Sequence, residues 1–438
     1  MPTSIYSFVR VVPIHSLLYL CPLIDNASIL TPSRKLEIFN DPIYGFISIP
    51  NPLVYELIGH PYFQRLRRIS QMGLSYLVFP GAHHTRFHHA LGSMHLMQQA
   101  VQLLRFKGVE ISKEEEDGLL IAILLHDIGH GPFSHAMEHS IVQGVTHEAI
   151  SLFFMEALNR QFNGSLTTAI AIFSGKHPKA FLNQLVSSQL DMDRMDYLKR
   201  DSFYTGVAEG NINSERLITM LNVVDGELVV EEKGIYSVEK FLMARRFMYW
   251  QVYLHKTSLV AEQLLIRTFK RAKELLVSGV DVGCSDTLLY FLEHTVSKTD
   301  FDQEVLERFS RLDDIDIVGA LKRWRNHPDF VLSRLCTMLL DRKLLNITLK
   351  NRPIDETKLA RYFETFKKQH GLGDAETAYF VFSDRIENTA YDRNHQNINI
   401  LKGNGKLVDV AKASDHLNLK TLSKTVTKYY MCYPKEDT

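Results

Sequence analysis

Cysteine is scarce in this sequence: four residues in 438, at Cys21, Cys284, Cys336 and Cys432, with no Cys-x-x-Cys pair among them. Such scattering argues against a disulfide framework or a zinc ribbon and fits reduced thiols in a cytoplasmic protein. Net charge is missing as well, since Lys+Arg and Asp+Glu balance at 50 each. A neutral chain is a poor coat for nucleic acid or an acidic membrane, although a local basic pocket can still take a small phosphorylated ligand. Long hydrophobic runs are also lacking. Residues 5–24 are fairly apolar, but Arg10, Pro13, His15 and Pro22 interrupt them and no cleavage pattern follows, so neither a membrane span nor a signal peptide is read there. Residues 1–33 are expected to form a poorly ordered N-terminal extension. Internal repeats and low-complexity segments are absent too.

What is there is an ordinary globular composition, 45% apolar and 23% charged. Its length suggests one large domain with a smaller one. The chain is organised around residues 117–139. Leu119, Leu120, Ile123 and Leu124 recur at helical spacing, and Ile121, Ala122 and Leu125 fill the other faces, which predicts a buried central helix. His126 and Asp127 close its last turn, and Gly129, Gly131 and Pro132 stop it. A lone His-Asp pair is usually a capped helix end. Here ten of the 19 histidines lie between residues 83 and 147, a density that a solvated surface does not need. An imidazole and a carboxylate at the end of a buried helix each need a strong partner, and a metal ion is the obvious one.

In chain order, residues 35–50 alternate around an Asn-Asp-Pro turn signal and predict a hairpin. Residues 61–72 read as an amphipathic helix bearing Arg65, Arg67 and Arg68, with Pro61 in its first turn. The loop from Tyr76 to His89 feeds a helix over about 87–106 and sets Arg86 and His89 near its start, where backbone N–H groups favour anions. Thr146 caps a helix that begins with His147 and Glu148. Helices continue to about 205, with Asp193, Asp196, Tyr197 and Asp201 sharing one helical face. Residues 223–230 form an Asp-Gly hairpin read as a surface excursion. A long helical stretch over about 237–277 carries Arg245, Arg246, Tyr249, Tyr253, His255 and Lys256. Beyond 300, helices to about 340 give way to strands near 344–349, 378–382, 398–401 and 426–430. The expected fold is mainly α, with short β-hairpins, a main domain over 34–300 and a small α+β part over 301–438.

His89, His126, Asp127 and Asp193 bring two imidazoles and two carboxylates from three helical segments. That donor set suits Mn, Fe, Ni, Co or Zn better than Ca. The pattern H…HD…D resembles the HD superfamily of metal-dependent phosphohydrolases. Five ordered segments (63–67, 78–82, 86–92, 126–135 and 191–197) are similar to its deoxynucleoside triphosphate triphosphohydrolase branch. The resemblance runs from about Ile38 to Lys256 and more weakly to about 345. It implies an HD-domain helical core with His89, His126, Asp127 and Asp193 as metal ligands and, in addition, Mg bound to substrate phosphates. It implies that His130 and His135 face the phosphates, with His135 protonating the departing oxygen and Glu138, His147 and Glu148 orienting it. Arg86, Arg194, Arg245 and Lys256 would neutralise a triphosphate. Gln71, Tyr197, Asp201 and Tyr253 match positions that contact deoxyribose.

The implied reaction is hydrolysis of a dNTP, dGTP among the candidates, to deoxynucleoside and triphosphate by a homo-oligomer that needs neither membrane nor nucleic acid. Some positions depart from the pattern. Arg194 stands where a vertebrate member of that branch has a lysine. Gln64 and Arg67 match residues that read an activating guanine nucleotide there, yet Glu37 replaces a phosphate-contacting lysine and Gly59 a base-reading aspartate. Either the enzyme is constitutive or it uses another effector. Fold and ligand set alone leave two alternatives: a phosphatase or phosphodiesterase acting on another nucleotide or phosphorylated metabolite, and a nucleotide-sensing regulator.

Overall fold

The computed structural model describes residues 37–133, 141–142, 144–389, 391, 397–414 and 424–435. The expected N-terminal extension, together with His135 and Glu138, lies outside them. The chain is predominantly helical. A two-stranded hairpin opens it, β1 (Ile38–Asp41) and β2 (Gly45–Ser48), in the register Asp41 opposite Gly45. Helix α1 (Pro52–Gly59) is capped by Asn51, whose side chain accepts from Val54 N at 2.9 Å. The expected helix over 61–72 is broken. A helical turn at Pro61–Gln64 passes into a 3₁₀ turn at Arg65–Arg68 and then into extended backbone at Ile69. Arg65 explains the break, because its buried guanidinium donates to Ile128 O, His130 O and Leu312 O.

The site stands on four helices: α2 (Arg86–Phe106), α3 (Lys113–Leu125), α4 (His147–Gln161) and α5 (Met192–Thr205). Helix α3 is the central one. Ser112 and Glu115 form its capping box, and Leu119 through Leu125 are all buried. At roughly 1.5–3 kcal/mol for each large apolar side chain buried, this all-round face fixes α3 in the middle of the core. It packs against α2 and the helix Thr167–Phe173.

Strands β3 (Leu221–Val224) and β4 (Glu227–Glu231) form the expected Asp-Gly hairpin. Asp225 and Gly226 both have positive φ, at 51° and 79°, as a tight two-residue turn requires. It is not a mere surface excursion. Val229 and Val230 are buried, and β7 (Asn399–Leu401) pairs with β4 in parallel, followed by β8 (Leu407–Asp409). The stretch over 237–277 is likewise two helices. Helix α6 (Ile235–Met248) runs into a π-helical turn at Tyr249–Tyr253, the chain turns extended at His255, and α7 (Lys256–Val277) follows. The strand expected at 344–349 begins two residues later, as β5 (Asn346–Lys350), and that at 426–430 lies within β9 (Val426–Tyr433); with β6 (Phe382–Asn388) they form a sheet ordered β5-β9-β6. The strand expected at 378–382 starts only at its end, with β6 (Phe382–Asn388), because residues 374–377 form a capped helical turn.

Candidate active site

Three helix ends meet at one point. His89 lies in the first turn of α2, His126 caps the C-terminus of α3 with Asp127 next in line, and Asp193 lies in the first turn of α5. The Nε2 atoms of His89 and His126 are 3.4 Å apart. Asp193 Oδ1 is 3.1 Å from the first and 3.5 Å from the second, and the Asp127 carboxylate lies 3.7 and 3.4 Å from them. The other ring nitrogen of each histidine is already engaged. His89 Nδ1 is 2.7 Å from Asp196 Oδ2, and His126 Nδ1 is 2.6 Å from Ile123 O. Each Nδ1 can therefore carry the proton and turn an Nε2 lone pair inward, as in metal-binding histidines with an outer acceptor.

Electrostatics agree with the donor set. Burial opposes charge on His89, yet the carboxylates of Asp193 and Asp196 push it up to about 10. His126 is raised by Asp127 and Asp193 against the same burial. The imidazoles in turn hold Asp193 far below the carboxylate range, although burial acts the other way. A buried cluster this rich in anionic oxygen calls for a cation, and the four residues fit a divalent metal. His89, His126 and Asp193 would hold it, with Asp127 alongside.

Asp127 also faces away from this group. It accepts from Arg86 Nη1 and lies 3.3 Å from His130 Nδ1. His130 stacks on His147 with ring centroids 3.9 Å apart, and Asp127, His130 and His147 form a second set of close donor atoms. Burial, then the nearby Arg86, hold His130 well below the usual imidazole range, so it is neutral at pH 7. His147 reaches Glu148 at 3.3 Å, and Glu148 is largely in solvent. The loop after Asp127 is drawn against α4. Ser151 Oγ donates to His126 O at 2.7 Å and accepts from Gly129 N at 2.9 Å. A Cβ on Gly129 would come within 2.3 Å of His147 O and Ser151 N, so only glycine fits there.

The opposite wall is aromatic and basic. Asp201 is buried with both oxygens occupied, by His84 Nε2 and by the Tyr253 hydroxyl, each at 2.7 Å. Tyr253 lies edge-on to Tyr197 and Tyr249, at 6.1 and 5.3 Å, and the Arg245 guanidinium sits 5.9 Å from the Tyr249 ring. Arg194 pairs with Asp191 at 2.5 Å, and Asp193 lies 3.9 Å off. Five polar atoms on this wall are buried with no hydrogen-bond partner among the described residues: His84 Nδ1, Gln71 Oε1, Arg194 Nε, and Nε and Nη1 of Arg245. Lys256 starts α7 with its side chain exposed.

Of the residues expected from sequence, His89, His126, Asp127, Asp193, Arg86, His130 and His147 come together, with Arg194, Tyr197, Asp201, Arg245 and Tyr253 around them. Sequence reading passed over the roles of Asp196, His84, Tyr249 and Ser151. Asp196 was visible on the Asp193 face of α5, but its partner His89 is 107 residues away.

His and Asp side chains gathered at helix ends on a mainly α core mark an HD domain, and the chain belongs to the HD-domain phosphohydrolases. The HD domain model matches residues 86–201, and the HD associated region model matches 212–281. Among solved structures, a phosphohydrolase of Bacteroides thetaiotaomicron is 51% identical, with a TM-score of 0.88 over 92% of this chain and 100% of that one. The uncharacterized protein YwfO of Bacillus subtilis is 32% identical over 426 residues, 92% of this chain and 94% of that protein. The chain is also related to the deoxynucleoside triphosphate triphosphohydrolase SAMHD1. It is 30% identical to the human protein over 285 residues, 55% of this chain and 45% of that one. It thus spans under half of that relative's length. No described helix is long and apolar enough to cross a membrane.

Proposed function

We propose that the chain hydrolyses deoxynucleoside triphosphates, releasing deoxynucleoside and intact triphosphate. The observation that carries this reading is the set of unsatisfied polar atoms beside the histidine-carboxylate cluster. Leaving a buried donor or acceptor unpaired costs roughly 1–3 kcal/mol, a cost a protein bears where a ligand will supply the partner. Arg194 and Arg245 offer N–H donors to phosphate oxygens, as charge-assisted hydrogen bonds suit best. Gln71 offers an acceptor to a sugar hydroxyl.

When bound, a divalent metal supplies Lewis-acid polarisation of the α-phosphate and a lowered pKa for water. The chain's residues do the rest. Arg86, Arg194 and Arg245, with Lys256 at the rim, offset the charge that builds up on the phosphates. Tyr197 and Tyr253 wall the sugar, and Asp201 keeps the Tyr253 hydroxyl in place. His130 is neutral and faces the phosphates. Water adds to the α-phosphorus, the P–O5′ bond breaks, and a proton passes to O5′. His135 is the donor assigned to that proton, with Glu138, His147 and Glu148 orienting it. Homo-oligomer assembly belongs to the same reading.

The test is incubation with each of the four dNTPs and Mn²⁺, with and without GTP, and separation of products by ion exchange. Deoxynucleoside plus intact triphosphate is the expected result, and turnover without GTP fits Glu37 and Gly59. Turnover of dNMP with none of any dNTP would replace this reading with a phosphatase.

A further inference from the structure

Behind His89 lies a chain of buried charges that ends at the hairpin. Asp196 Oδ2 meets His89 Nδ1 at 2.7 Å. Arg200 donates to both Asp196 oxygens, Nε to Oδ2 at 2.9 Å and Nη2 to Oδ1 at 3.0 Å. Its Nη1 donates to Asp41 Oδ2 at 2.8 Å. Asp41 Oδ1 then accepts from Ile43 N at 2.8 Å and Tyr44 N at 3.0 Å, closing the β1–β2 turn. All three charged side chains are buried. Their fit is tight: a Cβ on Gly92 of α2 would lie 2.1 Å from Asp196 Oδ1 and 2.2 Å from Arg200 Nη2.

Burying such a triad is a poor way to gain stability, because desolvation consumes most of the Coulombic gain. It controls proton placement instead. Both Asp196 oxygens accept N–H groups from Arg200, and Oδ2 also faces His89 Nδ1, so the carboxylate is held as an acceptor on every side. With Asp196 confined to accepting, a His89 ring that binds a cation keeps its proton on Nδ1 and offers Nε2 to the metal.

We propose that Asp196, Arg200 and Asp41 are positioning residues that fix the metal-binding tautomer of His89, and that the β1–β2 turn is thereby a working part of the metal centre. This inference rests on the metal-site reading above. Asn at 196 would place an NH₂ against either His89 or Arg200, both donors in the native arrangement. Glu would not fit against the α2 backbone at Gly92.

The test is Mn²⁺ affinity of metal-stripped full-length protein, measured by chelator competition well below the Tm of every variant. Asp196→Asn and Arg200→Gln are expected to weaken binding about 10–100-fold, as loss of an outer partner to a metal-bound histidine does. Arg200→Lys keeps the charge and should recover part of that affinity. Asp41→Asn should give a smaller loss, on the order of a fewfold. Arg271→Gln breaks the Arg271–Asp329 ion pair between α7 and residue 329, and serves as a control that lowers Tm alone. Wild-type affinity in Asp196→Asn and Arg200→Gln, or an equal loss in Arg271→Gln, would overturn the proposal. Wild-type affinity in Asp41→Asn alone would remove the hairpin from it. Failure of the wild-type protein to bind Mn²⁺ at all would overturn the metal-site reading itself.

Discussion

The two walls of the cleft treat their polar atoms in opposite ways. On the metal side every charge has several protein partners: Asp127 alone is met by Arg86, His126 and His130, and His89 by Asp193 and Asp196. On the wall proposed to take phosphates and sugar, Gln71, Arg194 and Arg245 keep buried atoms with no partner among the described residues. The first wall is organised before any ligand arrives, and the second, in the proposed reading, is completed by one. Stability and activity should therefore respond in parallel to changes on the first wall and in opposite directions on the second.

The largest expected effect is from Asp127→Ala. Turnover should fall by about 10³-fold or more with loss of the metal and its electrostatic help. The metal-stripped protein should lose on the order of 3 kcal/mol, because a buried ion pair is broken from one side only, while helical content stays near native. Far-UV circular dichroism and denaturant melts check both, and full activity in this variant would refute the metal centre. Next comes Arg245→Leu. Turnover should drop about 10²-fold, as when one preorganised donor to developing charge is removed, while Tm stays level or rises. A Tm lowered as far as in Asp127→Ala would erase the contrast between the walls.

Gln71→Leu should reduce kcat/KM about tenfold, the worth of one hydrogen bond, and the variant should no longer distinguish substrates with and without the 3′-hydroxyl. A retained preference would move Gln71 off the sugar. The smallest effect belongs to a carboxylate outside both walls. Glu262, half-buried on α7, is pushed up to about 7 by burial alone. Its folded-state value lies above the unfolded one, so its stabilising contribution is present below about pH 4.5 and is lost as pH rises through 7. Glu262→Gln should raise Tm by roughly 1–3 °C at pH 8 and leave it unchanged at pH 4.5. An equal shift at both values would tie the effect to packing.

Local signals carried the sequence reading a long way. The all-apolar helix ending in His126 and Asp127, the Asp-Gly turn at 225–226 and the hairpin at 38–48 each rest on contacts within a few residues, and each is present as expected. Non-local partners were invisible. Arg65 breaks the 61–72 helix to reach carbonyls at 128, 130 and 312, and β7 reaches across some 170 residues to join β4. The π-turn at Tyr249–Tyr253 interrupts a stretch whose helical propensity gives no sign of it, and it sits where Tyr253 must meet Asp201. The candidate ligand set was legible because four residues of only two types, histidine and aspartate, carry it. The outer partners Asp196, Arg200 and Asp41 were not, since a buried salt bridge and a solvated helix face look alike until the fold brings 41 to 200.

Arg65 also sets a schedule for biosynthesis. Its guanidinium holds the carbonyls of Ile128 and His130 beside the His-Asp pair, and its third acceptor, Leu312 O, is made almost 250 residues later. At about 5–20 residues per second, a ribosome leaves that donor waiting for roughly 12–50 seconds after Arg65 emerges. Through that interval the nascent chain can form its central helix and give Arg65 Nη2 its two carbonyls, yet Nη1 lacks the acceptor that completes the buried guanidinium. The support beneath the His-Asp pair is thus completed only once residue 312 is made, although His126 and Asp127 are translated in the first half of the message.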